Sequence, residues 1–252
     1  MVKFQIASDL HIEYKNDCLV KDIQSYITPN ADVLILAGDI GNLYKYNQLK
    51  DFLTRVSKLF IHVLYVPGNC EYYRTSGYPE VPLNKLGEQL LQIEKEIPNL
   101  IILNRGSICI DDVCVTGCTL WSEARMSIPH FIVRIRDMNQ ETYNNVHTKD
   151  LRHITRTIRY CKKRKLKLLV VTHHCPTYKV IKGKKSTDKY VSLYATHLDN
   201  LLRGDYVHTW VCGHIHRNFD FVSTLGTRVV GNQMGKPKDG ITDYKKNMVI
   251  EV

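Results

Sequence analysis

The amino-acid sequence predicts an α/β fold in which two mixed β-sheets pack as a sandwich with helices outside. Three observations predict it: short apolar runs typical of buried strands, amphipathic segments of helical spacing between them, and hairpin-like strand pairs in the middle and at the end of the chain. The chain has 252 residues, a length near the upper limit for one hydrophobic core. We therefore expect a single domain spanning residues 1–252.

Five predicted strands share one feature, since each is an apolar run followed by polar or glycine residues. They are Val2–Ala7, Val33–Ala37, His62–Val66, Leu166–Val171 and Thr209–Cys212. In open α/β sheets, ligands bind in the crevice beyond the carboxyl ends of the strands. The residues after these five strands are therefore expected to share one site.

Helices are predicted where apolar residues recur every three or four positions. The segments are Tyr44–Phe60, Leu83–Ile97, Glu141–Lys163 and Tyr190–Leu202. Pro98 ends the second segment, and Gly204 is the expected C-cap of the fourth. Shorter strands, some in hairpins, are predicted at Leu100–Leu103, Ser107–Ile110, Val113–Gly117, Phe219–Val222, Thr227–Val230 and Asn247–Val252.

Composition favours a soluble, cytoplasmic protein. The N-terminus MVKFQIASDLH enters a strand at once, and no apolar run is long enough for a signal peptide or a membrane span. The chain has eight cysteines, but no CxxC pair occurs and most lie within apolar strand patterns. We interpret all but Cys70 as small buried hydrophobic residues in a reducing compartment. The sequence leaves the oligomeric state open.

The net charge of +10 invites a nucleic-acid partner without establishing one. One basic run, Lys162–Lys167, is interpreted as the solvated last turn of a helix followed by a strand entrance. A second run, Lys182–Lys185, is flanked by Lys179 and Lys189 and follows His173 in a loop. For this run two interpretations stay open, a solvated loop and a segment that steers an anionic substrate towards the site.

Seven residues near the ends of the five strands have side chains that bind divalent metals. They are Asp9, His11, Asp39, Asn69, His173, His214 and His216. In an extended backbone, side chains two positions apart point the same way, so Asp9 and His11 should reach one site, as should His214 and His216. Because His173 and His174 are adjacent, only one of them should face that site.

This donor set predicts two divalent metal ions. Carboxylate and imidazole ligands together suit manganese, iron, zinc, nickel or cobalt, with manganese preferred here. Asp39 is placed centrally enough to bridge the two ions, and Asn69 offers a neutral oxygen. Gly38 and Gly68 directly precede two of the ligands, where a missing side chain lets the loop turn tightly.

The strings DLH, GDI, GNCE, HH and GHIH resemble, in order, the five sequence blocks of the calcineurin-like metallophosphoesterase superfamily. The resemblance covers nearly the whole chain and implies two mixed sheets flanked by helices. It implies one metal held by Asp9, His11, Asp39 and His216, and a second held by Asp39, Asn69, His173 and His214. His173 is chosen over His174 because the family ligand is the first residue of such strings.

The resemblance also implies a phosphoesterase that uses a hydroxide held by two metal ions, with Asp39, Asn69 and Cys70 as candidate catalytic residues. Residues 119–150 are similar to a segment that caps the active site in small cytosolic members. Arg125, Arg134 and Arg136 in that segment are candidates for phosphate contact, and Glu71 is expected to orient a ligand or cap a helix.

Cys70 departs from the family pattern, which has histidine after Gly-Asn. A thiol is a poorer proton donor than imidazolium and carries no positive charge. We therefore expect substrates whose leaving groups need little protonation. A small phosphodiester, nucleotide-like esters included, is preferred over a phosphomonoester. The opposite interpretation, that Cys70 only fills space, stays open.

Three other functions make different predictions about the sequence or the protein. A cysteine-nucleophile phosphatase needs a cysteine, five residues and an arginine, and neither Cys70, Cys118 nor Cys212 has an arginine at that spacing. An inactive scaffold with this fold is expected to lose ligands, whereas all seven are present. A nucleic-acid binder with structural metals predicts salt-sensitive binding without turnover.

Overall fold

The computed structural model describes residues 1–16, 20–181 and 190–252. Cys18, Lys189 and the basic run Lys182–Lys185 lie outside the described residues, so the interpretations attached to them stay predictions.

The first sheet has the strand order β11-β1-β2-β3-β4, and β11 is antiparallel to β1 while the others run parallel. Its strands are β1 Lys3–Ala7, β2 Val33–Ala37, β3 His62–Val66, β4 Leu100–Ile102 and β11 Val249–Glu251. β2 is buried along its whole length, as expected of a central strand covered on both faces.

The second sheet has the order β5-β6-β7-β8-β10-β9, with parallel pairing in the middle and antiparallel pairing at both edges. Its strands are β5 Gly106–Ile110, β6 Val113–Cys118, β7 Lys167–Thr172, β8 Thr209–Val211, β9 Phe219–Val222 and β10 Arg228–Gly231. The predicted fold class, two mixed sheets in a sandwich flanked by helices, is confirmed.

Between the sheets lies a core of mostly branched aliphatic side chains, which includes Ile6, Ile35, Leu64, Val115 and Val171. Helices α1 Tyr46–Ser57 and α2 Leu83–Glu96 bury Leu49, Phe52, Leu86 and Leu90 in a second cluster on the outer face of the first sheet. Helix α3 Gln140–Arg164 packs Ile154, Ile158 and Cys161 on the second sheet.

The end of α3 follows the predicted pattern. Lys162, Lys163 and Arg164 form its basic last turn, and Lys165 ends it with a left-handed φ of 54°. The backbone N–H of Leu166 then donates to the carbonyl of Cys161 at 3.0 Å, which satisfies one of the helix's free carbonyls.

The predicted helix over Tyr190–Leu202 is wrong. The structure has short 3-10 turns at Val191–Leu193 and Asp199–Leu201, separated by extended backbone. The backbone of Cys175 exchanges hydrogen bonds with this extended stretch, accepting from Thr196 and donating to Tyr194. Gly204 is not a C-cap either, since its N–H donates to the carbonyl of Leu225 at 2.8 Å.

Cysteine burial agrees with the prediction except at one position. The described cysteines are free; Cys70, Cys114, Cys118, Cys161, Cys175 and Cys212 are buried, whereas Cys109 is exposed. Cys109 lies on the edge strand β5, where alternate side chains face outwards. Among the described residues, every helix is too short or too polar to cross a bilayer.

Candidate metal centre

The carboxyl ends of the parallel strands meet at one edge of the sandwich and bring the candidate ligands together. Two groups of side chains have ligand atoms within 4.8 Å of one another. The first contains Asp9, His11, Asp39 and His216, and the second contains Asp39, His173 and His214. Asn69 lies beside the second group, with Oδ1 3.0 Å from Nε2 of His173. Asp39 therefore occupies the position shared by both groups.

The backbone reaches this arrangement by a route that the sequence argument did not foresee. Strand-like alternation was expected to align Asp9 with His11 and His214 with His216. Instead these residues and Asp39 have left-handed backbones, with φ of 53° at Asp9, 48° at His11, 52° at Asp39, 74° at His214 and 49° at His216. Such conformations are costly for residues other than glycine and cluster at functional sites.

Two glycines leave room for the ligands. Gly38 has a φ of +87°, and a Cβ atom there would collide with the ring of His173. A Cβ atom at Gly68 would collide with Oδ1 of Asp39. The close approach that the sequence analysis expected at Gly38 and Gly68 is therefore present in the structure.

In each candidate histidine, the ring nitrogen that points away from the cluster is hydrogen-bonded to an oxygen atom. The pairs are His11 Nδ1 with Glu13 at 2.9 Å, His173 Nδ1 with the carbonyl of Ala37 at 2.9 Å, His214 Nε2 with the carbonyl of Leu193 at 3.1 Å, and His216 Nδ1 with Asp239 at 2.5 Å. An acceptor at one nitrogen holds the proton there and leaves the lone pair of the other nitrogen free for a metal.

The inner nitrogens and carboxylate oxygens face one another at close range. Nε2 of His11 lies 2.9 Å from Nε2 of His216, and Nε2 of His173 lies 3.2 Å from Oδ1 of Asp39. Nε2 of His216 lies 3.4 Å from Oδ1 of Asp9. This convergence of lone pairs and carboxylates, in a donor set of nitrogen and oxygen, fits divalent transition-metal ions.

Buried charge dominates the electrostatics. Burial alone would raise the pKa of Asp39, but the charge of His173 and its hydrogen bond lower it. With the added charges of His11 and His214, that pKa lies well below its usual range. Burial works against the imidazolium of His173, yet Asp39 raises the pKa of His173 to about 10. Burial and the charge of His173 lower the pKa of His214 to about 3. The charge of Asp39 therefore favours a proton on His173, and the charge of His173 disfavours one on His214.

Glu71 orients the loop that carries Asp39. Its carboxylate accepts hydrogen bonds from the backbone N–H groups of Asp39, Ile40 and Gly68 at 3.1, 2.7 and 2.7 Å, and from the Tyr65 hydroxyl at 2.7 Å. Burial, followed by the charge of Asp39, raises the pKa of Glu71 to about 8. The side chain acts as an internal cap for two loops.

Cys70 is 5% exposed and lines the same pocket as Asp39 and Asn69. Burial, and then the charge of Asp39, raises the pKa of the Cys70 thiol well above its usual range. Its backbone N–H donates to Oδ1 of Asp39 at 2.8 Å. Cys70 thus presents a neutral thiol to the pocket and fixes the Asp39 carboxylate through its main chain.

The structure turns only His173 towards Asp39. The neighbouring His174 is buried, and its ring packs at a tilt against His214, with centroids 4.0 Å apart, and against Trp121 at 5.7 Å. Burial, with the charges of His214 and His173, keeps the pKa of His174 well below its usual range. His174 therefore supports His214 as a neutral, packed ring.

A pocket of 740 Å³ opens over the cluster. Its wall includes Tyr14, Tyr73, Phe131, Arg134 and Lys236. Of the three arginines singled out in the sequence, only Arg134 lines it; Arg125 and Arg136 are exposed and pair with their neighbours Glu123 at 3.8 Å and Asp137 at 3.3 Å.

Sequence reasoning missed three features of this site. Asp239 ends a short 3-10 turn, Pro237–Asp239, of unremarkable composition. The acceptor at Leu193 is a main-chain carbonyl, so the sequence pattern marked neither of them. Lys236 was also missed, although its ammonium faces the ring of Tyr14 at 5.7 Å and lines the pocket with Cys70. The one available hint was the Met-Gly-Lys-Pro-Lys string, in which Gly235 permits a tight turn with a φ of +74°.

Sequence comparison finds a matching family model and a related viral protein. The family model described as calcineurin-like phosphoesterase matches residues 2–218. A curated relative, uncharacterized protein L509 of Acanthamoeba polyphaga mimivirus, is 28% identical over 259 aligned residues, which cover 91% of this chain and 89% of the relative.

Solved structures show the same fold. A phosphopantetheinyl hydrolase from Mycobacterium tuberculosis superposes with a TM-score of 0.70 at 16% identity, covering 94% of this chain and 90% of the other. A dimetal phosphatase from Danio rerio superposes with a TM-score of 0.60 at 11% identity, covering 91% of this chain and 86% of the other. A putative 5′-nucleotidase from Staphylococcus aureus has a TM-score of 0.52 at 14% identity, covering 91% of this chain and 48% of the other.

Proposed function

The chain belongs to the calcineurin-like phosphoesterase family, and we propose that it hydrolyses a small phosphate ester with the help of two divalent metal ions. One observation carries the proposal: two groups of candidate metal-binding side chains share Asp39, and one pocket is lined by Asp39, His214 and His216 from these groups. The outward nitrogen of every candidate histidine is already occupied, as a metal ligand requires.

The proposed ligands follow the two groups. Asp9, His11, Asp39 and His216 hold one ion, while Asp39, Asn69, His173 and His214 hold the other. Asn69 joins the second group because its Oδ1 lies 3.0 Å from Nε2 of His173. Imidazole and carboxylate donors favour manganese, with iron, zinc, nickel and cobalt as alternatives.

Two such ions supply Lewis acidity, lowering the pKa of a coordinated water and neutralising phosphate oxygens. The chain itself supplies position and charge around the phosphate. Asp39 and Asn69 set the floor of the pocket, and Lys236 and Arg134 place positive charge on its wall. Among the described residues Lys236 forms no ion pair, so its ammonium is available to a phosphate oxygen.

A phosphodiester is the preferred substrate class in this proposal. Cys70 stays a neutral thiol because burial raises its pKa, so it supplies neither the charge nor the ready proton that a poor leaving group needs. The volume of 740 Å³ suits a ligand of nucleotide size. Tyr14, Tyr73 and Phe131 offer aromatic surface to a flat leaving group.

We also propose that residues 119–150 act as the cap of this site within a single domain of residues 1–252. Supporting this, Phe131, Ile132, Val133 and Arg134 line the pocket directly. The backbone N–H of Arg74, which follows the Asn69 loop, donates to the carbonyl of Arg134 at 2.8 Å and ties the cap to the site.

The decisive experiment is a panel of matched aryl phosphomonoesters and phosphodiesters, assayed with manganese, zinc or chelator, with bound metal quantified in the same samples. Asp39→Asn is expected to lower turnover at least about 1000-fold while the circular dichroism spectrum is retained. Asp32→Asn is the matched control, because Asp32 is exposed and directly precedes β2, the strand that Asp39 follows. Metal uptake without turnover on any ester would instead favour an inactive scaffold with the phosphoesterase fold.

A further inference from the structure

The outer face of helix α3 carries a continuous row of cations, which we call the α3 basic stripe. Its members are exposed and follow one another at spacings of three and four residues: Lys149, Arg152, Arg156, Arg159 and Lys163. With 3.6 residues per turn and a rise of 1.5 Å, they fall within an arc of about 80° and span about 21 Å. This is the face opposite the one that packs on the second sheet.

Counter-charges do not neutralise the stripe. Between residues 149 and 164, the only acid in α3 is Asp150, which is buried. Asp150 is already committed to Arg105 at 2.7 Å and to the backbone N–H of Leu120 at 2.9 Å. Within the described parts of the chain, no stripe residue takes part in an ion pair, while nearby cations such as Arg105 and Lys167 do.

The N-terminal half of the stripe borders a small surface cavity. This cavity of 320 Å³ is lined by Arg105, Lys149, Arg152, His153 and Arg156. His153 is held by the Thr116 hydroxyl at 2.9 Å, and burial lowers its pKa. Every residue around the cavity is basic or an imidazole, so the cavity suits an anion of phosphate size.

Aromatic rings and further cations flank the C-terminal half of the stripe. Tyr160 is 49% exposed, and the guanidinium of Arg164 lies 5.2 Å from its ring centroid. The ammonium of Lys162 lies 4.4 Å from the ring of Tyr206, and Arg203 covers the same ring at 5.0 Å. Tyr160 is the exposed ring of the two, and an exposed aromatic ring beside cations provides the kind of stacking surface that bases use in single-stranded nucleic acids.

We propose that the α3 basic stripe binds the phosphodiester backbone of a nucleic acid, at a site separate from the metal centre. A span of about 21 Å covers about six phosphates of one strand. A membrane surface is a poorer match, since among the large apolar side chains of α3 only Tyr160 is exposed. None of the stripe residues lines the pocket over the metal centre, so this binding requires no hydrolysis.

The test is fluorescence anisotropy of a labelled oligothymidylate of about 20 nucleotides with the full chain, in chelator so that no ester is cleaved. Five phosphate contacts predict an affinity that falls about 100-fold between about 50 and about 200 mM salt. The triple charge reversal Arg152→Glu, Arg156→Glu and Arg159→Glu should weaken binding at least about tenfold. It should also reduce the slope of log affinity against log salt concentration by the amount expected for about three phosphate contacts.

The matched control is Lys58→Glu, Lys95→Glu and Lys246→Glu, which changes the net charge equally at exposed positions outside the stripe. Arg152→Gln, Arg156→Gln and Arg159→Gln tests the stripe without placing acids near a helix C-terminus, and thermal unfolding checks the fold of every variant. Equal weakening by stripe and control variants would overturn the proposal. Failure of the oligonucleotide to bind would also overturn it, whether or not polyglutamate binds through the stripe.

Discussion

The Oδ2 atom of Asp239 lies 2.5 Å from Nδ1 of His216, although the two residues are 23 positions apart. The same carboxylate oxygen accepts the backbone N–H of Lys236 at 2.8 Å. Asp239 therefore links the backbone of Lys236, which lines the pocket, to the ring of His216. The other nitrogen of that ring faces Asp9. A carboxylate behind a metal-binding histidine fixes the ring and raises the basicity of its inner nitrogen.

Replacing Asp239 should weaken one metal site selectively. In Asp239→Asn the negative charge behind His216 is lost, so we expect manganese affinity at the His216 group to fall about tenfold to 100-fold. Calorimetric titration with manganese measures this, because the two sites are then resolved by affinity. Asp243→Asn is the control, since Asp243 pairs with Asn218 at 2.7 Å in the same region. Equal loss at both metal sites, or no loss, would contradict the role assigned to Asp239.

Metal binding should also depend on pH through His173. Although burial opposes its charge, Asp39 raises the pKa of His173 to about 10, whereas a metal needs the neutral ring. Each ion bound there must displace this proton, so apparent affinity should rise about tenfold per pH unit from about pH 6 to about pH 8. Titrations in buffers of different ionisation enthalpy count the released protons. A pH-independent affinity would refute the assignment.

The same proton affects the metal-free fold in the opposite direction. Because the pKa of His173 is raised above its unfolded value of 6.5, its contribution to the free energy of unfolding is complete below pH 6.5. That contribution is lost as the pH rises towards 10. Chelated protein should therefore become easier to denature with urea across this range, while manganese-loaded protein should not follow the same trend.

Cys70 should determine which leaving groups the site can expel. With a neutral thiol beside Asp39, the wild-type protein should cleave an activated aryl phosphodiester faster than the matching monoester. Cys70→His should reduce the preference for the diester, because it should speed the hydrolysis of esters with poor leaving groups. Cys70→Ser should leave that preference nearly unchanged. Initial rates over a series of leaving groups measure the effect. If Cys70→His keeps the wild-type dependence on leaving group, the basis for preferring diesters is removed.

Much of the architecture followed from apolar periodicity. The central strands and helices α1, α2 and α3 were predicted within a few residues, because each buries a regular face that sequence spacing reveals. The helix prediction for Tyr190–Leu202 failed for a physical reason. The apolar residues of this segment have helical spacing, but its backbone forms hydrogen bonds with Cys175 and with the ring of His214 instead. Tertiary contacts of this kind leave no local signal.

The candidate site was predictable as a set of residues but not as a geometry. The seven ligand candidates follow from residue type and position after strands, yet the left-handed backbones at Asp9 and His216 replace the extended alternation assumed for them. Their orienting partners were harder to foresee. Two are main-chain carbonyls, at Ala37 and Leu193, and main-chain atoms are common to every residue type.

The buried carboxylate of Asp150 offers a test of how α3 supports the metal centre. It accepts a hydrogen bond from the backbone N–H of Leu120, whose φ is 64°. The next residue, Trp121, packs on His174. Asp150→Ala leaves that N–H buried without an acceptor, which should lower the free energy of unfolding by about 1–3 kcal/mol in urea denaturation. Asp112→Ala, which removes an exposed ion pair to Lys167, should change it little.

The pH dependence separates the charge of Asp150 from its packing. Burial raises the pKa of Asp150 despite the neighbouring Arg105, so the native state keeps this proton to a higher pH than the unfolded chain does. The stability contributed by Asp150 is therefore complete below its unfolded pKa and declines as the pH rises through the folded value. Asp150→Asn should abolish this decline while keeping an oxygen for Leu120. An unchanged profile of urea midpoint against pH in Asp150→Asn would show that Asp150 does not titrate in this range.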